Sequence, residues 1–214
     1  MSMRFFLLGE RAVSMRSIEA ANLDCQRRVW NMASRLQQEA GLIDVVPGMN
    51  NLTAIFDPER VSGDAILDAM QRHWSAATAD LDAGRKLQIP VRYGGTDGPD
   101  LEFVARHTGL TPEAVIAAHS AAQYAVYFLG FQPGFAYMGG LPEILSTPRL
   151  VEPRLSVPAG SVGIGGTQTG IYPSTGPGGW QLIGRTSVCL FDPAATEPIF
   201  LRAGDLIQFV AESP

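Results

Sequence analysis

The chain is almost without lysine: Lys86 stands alone among 214 residues. Its cationic chemistry therefore runs on arginine, histidine and backbone N–H groups. That excludes a P-loop, which needs a GK[ST] signature, and a biotin carrier, which needs a lysine in an MKM-type setting. Cysteine is scarce too. Cys25 and Cys189 lie far apart with no secretion signal before them, so both are expected as buried reduced thiols rather than a disulfide. Neither has a histidine nearby in sequence to activate it. The opening MSMRFFLLGERAV offers only FFLLG between Arg4 and Glu10, too short for the apolar core of a signal peptide, and reads better as a first strand. The reduced cysteines make the cytoplasm the expected compartment, and no apolar run approaches the roughly 20 residues needed to span a bilayer. HExxH, CxxC and tight Asp/Glu/His clusters are missing, so no metal site is expected. A GxSxG nucleophile elbow is missing as well. The net charge of −5 argues against nucleic acid or an anionic membrane as the main partner.

What remains is an ordinary globular composition, 46% hydrophobic, long enough for one large domain or two small ones. The first part alternates. Arg4 to Leu8 reads as a strand. Ile18, Ala21, Cys25, Val29, Met32, Ala33, Leu36 and Ala40 recur at helical spacing, with Ser17 as cap and Gly41 as stop. Ile43 to Val46 and Leu52 to Phe56 read as strands. Ile66, Leu67, Met70 and Trp74 mark a second helix capped by Ser62, and Lys86 to Val91 a closing strand. The order β-α-β-β-α-β is that of a ferredoxin-like α+β domain, placed at residues 1–92.

After Tyr93 the pattern changes. YGGTDGPD forms a Gly-rich link. Leu101 to Gly109 and Thr111 to Gln123 read as short helices, the second opened by a Thr-Pro-Glu start. Tyr124 to Phe131 is strongly β-prone. Beyond it, short strands at 160–165, 170–172, 181–185, 188–191 and 206–210 alternate with turns, a pattern of a compact β-barrel over residues 93–214.

The densest information lies between Gly130 and Arg185. This quarter of the chain holds 13 of the 23 glycines and 7 of the 15 prolines. Such breakers alone would read as linker. Here Phe131, Phe135, Tyr137, Tyr172 and Trp180 are interleaved with them, and large aromatic anchors point instead to loops held rigid around a site. Gln132, Pro133, Gly134, Phe135 and Tyr137 follow the most apolar strand. They read either as a rim that recognises an amide or as a tight turn covering the core. The run Val157 to Gly170 reads as a backbone nest for an anion or as barrel turns needing positive φ, with Ser161 and Gln168 its polar groups to test. Trp180, after Pro177-Gly178-Gly179, either stacks on a planar ligand or packs on the barrel. Arg149, Arg154 and Arg185 are the available cations. His73 and His107 read as a solvated helix position and a helix end. His119 reads equally as a site residue and as a hydrogen-bonded core histidine.

GFQPGFAYMGGLP, the two PR pairs, VPAGSVGIGGTQTGIYP, PGGWQLIGRT and the later AGD together resemble the KipI family, over nearly the whole chain. The resemblance implies a cyclophilin-like barrel for the second half. It also implies a component of an ATP-dependent 5-oxoprolinase, opening 5-oxo-L-proline to L-glutamate and inactive alone. Its partners would be a KipA-like C-type chain and a LamB/YcsF-like A-type chain, with ATP and Mg shared with a partner. On that picture His119, Gln132 and Tyr137 are catalytic. Pro133, Gly134, Phe135, Arg154, Ser161, Gln168, Tyr172, Trp180 and Arg185 bind substrate, with Arg154 or Arg185 facing its carboxylate or a phosphate. Two other roles within reach of the resemblance are a KipI-like inhibitor of a sensor histidine kinase and a carboxyltransferase-type component related to urea carboxylase and allophanate hydrolase.

Overall fold

The structure, a computed structural model, describes residues 2–79 and 84–212. The chain divides into two compact units, Met1–Asp82 and Ala83–Pro214. In the first, strands β1 (Met3–Leu7), β2 (Ala12–Ser17), β3 (Leu42–Gly48) and β4 (Asn51–Phe56) form an antiparallel sheet ordered β1-β2-β4-β3. Helices α1 (Leu23–Leu36) and α2 (Gly63–Ala76) supply the rest of its core. Alternation buries Leu52, Ala54 and Phe56 of β4 against Val29, Met32 and Leu36 of α1 and Ile66 and Met70 of α2. Arg28 lies 4.1 Å over the Trp74 ring and donates to the Trp74 and Ala77 carbonyls, which closes the end of α2.

The α+β character is as expected; the order of elements is not. The first unit runs β-β-α-β-β-α. Residues 12–17 form a strand, with Val13 and Met15 buried and Arg16 exposed, where the pattern predicts a connection into the helix. Helix α1 consequently starts later than Ser17. Asn22 caps it, accepting from the Cys25 N–H at 2.9 Å. Strand β5 (Lys86–Tyr93), predicted to complete this sheet, instead pairs in parallel with β13 (Leu206–Ala211) and antiparallel with β12 (Gln181–Arg185). The expected boundary at 92/93 therefore falls about one strand earlier, because Ile89 and Val91 belong to the second core.

The second unit is a closed barrel of β6 (Tyr124–Leu129), β7 (Ala136–Gly139), β9 (Ser161–Gly165) and β10 (Gln168–Ile171) with β5, β12 and β13, ordered β10-β7-β6-β13-β5-β12-β9. Closure leaves no open sheet edge in this ring. Strands β8 (Arg154–Val157) and β11 (Gly176–Gly178) pair separately as a short ribbon. Helices α3 (Leu101–Thr108) and α4 (Pro112–Ala121) pack against the barrel; Thr111 caps α4 with Pro112 at its first turn. The core is built from inward residues: Ile89 and Val91, Tyr124 and Val126, Ala136 and Met138, Val162 and Ile164, Ile171, Ile183, Ile207 and Phe209. The predicted strand at 188–191 is not formed. Only Phe191 makes an isolated bridge, to Ile199, and Cys189 is exposed rather than buried; Cys25 is a buried free thiol. Among the described residues, no helix is long and apolar enough to cross a membrane.

Candidate functional site

A barrel strand sends successive side chains to opposite faces. In β7, Ala136 and Met138 enter the core while Tyr137 points out; in β10, Thr169 and Ile171 point in while Gly170 faces out. The outward residues assemble a second apolar cluster of Phe135, Tyr137, Val157, Tyr172, Trp180 and Leu182. Its rings meet edge to face: Phe135 is 5.5 Å from Trp180, 5.3 Å from Tyr172 and 4.9 Å from Tyr137. A cavity of about 240 Å³ opens against it, walled by Phe131, Tyr137, Tyr172 and Trp180 and bordered by Arg149, Leu150, Pro153 and Pro177–Gly179. That is somewhat below the roughly 300–1,000 Å³ of drug-sized pockets, a size for a small metabolite. Burial pushes the Tyr172 phenol upward, so it stays protonated and able to donate.

The glycines of VGIGGTQTG explain why the cavity exists. A Cβ at Gly165 would come within 2.5 Å of the Trp180 indole. One at Gly163 would meet the Trp180 Cβ at 3.1 Å, and one at Gly170 the far edge of the ring at 3.1 Å. Gly163 and Gly170 are cross-strand partners. Together these glycines form a flat floor on which the indole lies, 4% exposed. They serve close approach rather than positive φ, which along this run is confined to Gly166. Beside the cavity, Phe131 holds φ +67, rare for a bulky side chain, and is 59% exposed. Such strain is maintained only where surrounding structure dictates it, and it turns the ring toward the cavity edge.

The other edge is held by Asp100. Its Oδ2 accepts from the Leu182 N–H at 2.6 Å, and its Oδ1 accepts from Arg154 Nη2 at 2.7 Å. Arg154 Nη1 reaches the Trp180 carbonyl at 3.4 Å. One carboxylate thus ties the link before α3, the ribbon strand β8 and the backbone beside Trp180. Asp100 lies in a Gly-rich stretch that reads as a linker, and its partners lie 54 and 82 residues away.

His119 is on the other side of the wall. It is fully buried inside the barrel, stacked 4.6 Å from Phe209. Its Nε2 is 3.0 Å from Thr169 Oγ1 and its Nδ1 2.8 Å from the Tyr93 hydroxyl. Thr169 donates its one hydroxyl proton to the Gly163 carbonyl. It therefore accepts from Nε2–H, and Nδ1 accepts from Tyr93. The neutral imidazole is fully satisfied, and burial pushes its pKa down to about 3. The folded value lies below the unfolded one, so the unfolded state binds the proton first. Stability from this group is complete above about pH 6.5 and falls as pH drops toward 3. Between pH 7 and pH 5 the loss is about 2 kcal/mol. Urea titrations at both pH values should show this loss in the wild type and its absence in His119→Gln; an equal loss in both would contradict the network.

The site residues read from sequence are therefore divided. Phe135, Tyr137, Tyr172 and Trp180 meet at the cavity. His119 does not share it. Gln132, Pro133 and Gly134 border a neighbouring hollow of about 350 Å³, separated by Phe131; Gln132 packs its amide on Gly176, with its buried Oε1 unbonded. Arg154 is held by Asp100, and Arg185 donates to the Ala159 carbonyl at 2.9 Å. Ser161 is buried in β9, and Gln168 keeps a buried Nε2 with no partner among the described residues. Neither of these lines the cavity. The residues missed are Asp100, Leu150, Pro153 and Arg149 as a lining group. The repeated Pro-Arg pairs at 148–149 and 153–154 are the signal that marks the last three.

Residues 3–201 match the family described as the carboxyltransferase domain, subdomain C and D. The chain belongs to this family. It is the group anticipated by the KipI-like motifs. Within it, a protein named as the B subunit of 5-oxoprolinase, from Escherichia coli O157:H7, is 52% identical over 210 residues, covering 98% of this chain and 96% of the relative. The crystal structure of TTHA0988 superposes with TM-score 0.80 at 36% identity, covering all of this chain but 41% of that one, so this chain spans less than half of TTHA0988. The Kluyveromyces lactis urea amidolyase shares the fold, with TM-score 0.83 at 19% identity over 99% of this chain and 15% of that one.

Proposed function

We propose that this chain is the B subunit of an ATP-dependent 5-oxoprolinase, acting in the cytoplasm with a KipA-like C-type chain and a LamB/YcsF-like A-type chain. The observation that carries this reading is the 52% identity, over nearly the full length of both chains, to a protein of that name. The barrel-wall cavity supports it: it suits a flat, small ring in size and in its aromatic walls. A lactam is stabilised by amide resonance, and ATP supplies the phosphoryl group that activates its oxygen. The cavity does not fit a magnesium nucleotide, since it offers no carboxylate to the metal and no lysine to the phosphates. Nucleotide binding is therefore assigned mainly to the KipA-like partner. What this chain contributes is positioning. Trp180 and Tyr137 wall the ring at an angle to each other, Tyr172 offers a hydroxyl, and the apolar walls exclude water from the activated amide.

Reconstitution tests this. The chain alone should release no glutamate from 5-oxoproline, and addition of the two partners should make ATP consumption and glutamate release appear together. ATP hydrolysis by the full assembly that is indifferent to 5-oxoproline would refute the reading.

A further inference from the structure

We infer that Arg149 is the carboxylate receptor of the barrel-wall cavity, and that the cavity therefore selects a small cyclic amide carrying a free carboxylate over the same ring without one. The identity of the ring rests on the 5-oxoprolinase reading; the charge preference rests on this chain alone. Among the eleven residues lining the cavity, Arg149 is the one that carries a charge. Its guanidinium lies 5.5 Å from the centre of the Trp180 ring, so the indole that walls the cavity also steadies the cation. No carboxylate lies within ion-pair distance of it among the described residues. Its planar fork of donors is free to take a carboxylate with two parallel hydrogen bonds.

The two arginines that the sequence pattern favours for this task are already engaged. Arg154 pairs with Asp100 at 2.7 Å, and Arg185 donates to the Ala159 carbonyl. The positive field of Arg149 reaches into the pocket, since it opposes the burial that raises the Tyr172 phenol. A cavity with one cation, no acid and aromatic walls complements a flat body with one negative charge. A ring seated in the cavity beside Trp180 would place its carboxylate toward Arg149 and leave its amide to the phenols of Tyr137 and Tyr172.

The test compares 5-oxo-L-proline with 2-pyrrolidinone, the same ring lacking the carboxylate. Calorimetric titration of the full chain, alone and in the reconstituted complex, reads binding; glutamate release by the complex reads turnover. Arg149 is exposed, and among the described residues its side chain has no hydrogen-bond or ion-pair partner, so Arg149→Gln should fold normally. It should weaken 5-oxoproline roughly 10- to 100-fold and leave 2-pyrrolidinone unchanged, and Arg149→Lys should recover part of the loss. In turnover the change should fall on KM rather than kcat. Equal binding of 5-oxoproline by wild type and Arg149→Gln, no preference of the wild type for 5-oxoproline, or no binding to it at all, overturns the proposal. Discrimination by the chain without glutamate release by the complex overturns the 5-oxoprolinase reading and leaves Arg149 in its role.

Discussion

Replacing Asp100 with alanine should destabilise the second unit by about 3 kcal/mol, an effect out of proportion to a residue in a glycine-rich connection. Two losses add. The buried Leu182 N–H, bonded at 2.6 Å, loses its acceptor, and Arg154 loses the carboxylate that holds it at 2.7 Å. Arg154 is partly solvated, so the ion pair itself counts for less than the orphaned N–H. Asp100→Asn keeps an acceptor for Leu182 and should lose about half as much. The substitution should also loosen the β8 ribbon and with it the cavity edge at Pro153. Chemical denaturation of the full chain reads the first effect, and ligand titration the second. An Asp100→Ala variant as stable as the wild type would show that the clamp is not needed.

Trp180→Ala should cost about 3–5 kcal/mol and abolish ligand binding, because it deletes both a cavity wall and the largest ring of the outer aromatic cluster. The more discriminating partner of this experiment is Gly165→Ala, which adds a single methyl group and removes nothing. Its Cβ would lie 2.5 Å from the indole and must displace it. The expected cost in stability is only about 1–3 kcal/mol. Binding should nevertheless fall as far as in Trp180→Ala, because the ring is pushed into the space the ligand would use. Gly166→Ala is the control: a Cβ there meets no atom within 4 Å, although its φ of +64 imposes a small backbone penalty. If Gly165→Ala binds ligand normally, the floor of glycines does not set the position of Trp180.

The sequence made the cavity legible in kind but not in membership. Aromatic residues set among rigid breakers point to a built site, and Phe135, Tyr137, Tyr172 and Trp180 do meet in one place. His119 could not be assigned this way. Its side of the wall depends on the parity of Thr169 in β10, and that parity is fixed by barrel closure between strands remote in sequence. Strand β5 shows the same limit. Its apolar pattern reads alike whether it joins the first sheet or pairs with β13 more than a hundred residues later, and only the second pairing is made. The glycines at 163, 165 and 170 read as turn formers because conformational freedom is what a glycine signals locally. Their actual service, absence of a side chain beneath an indole, needs the partner ring to be known. Asp100 signals locally only as the residue before helix α3, while both hydrogen bonds of its carboxylate are long-range.

On the proposed function the outer wall of the barrel, rather than its interior, receives the ligand. Following the indole N–H resonance of Trp180 and the ring signals of His119 by NMR, while 5-oxo-L-proline is titrated into the full chain, tests this directly. A saturable shift at Trp180 with His119 unmoved is the expected result. Saturable shifts at His119 with Trp180 unmoved would place the site inside the barrel and contradict the claim.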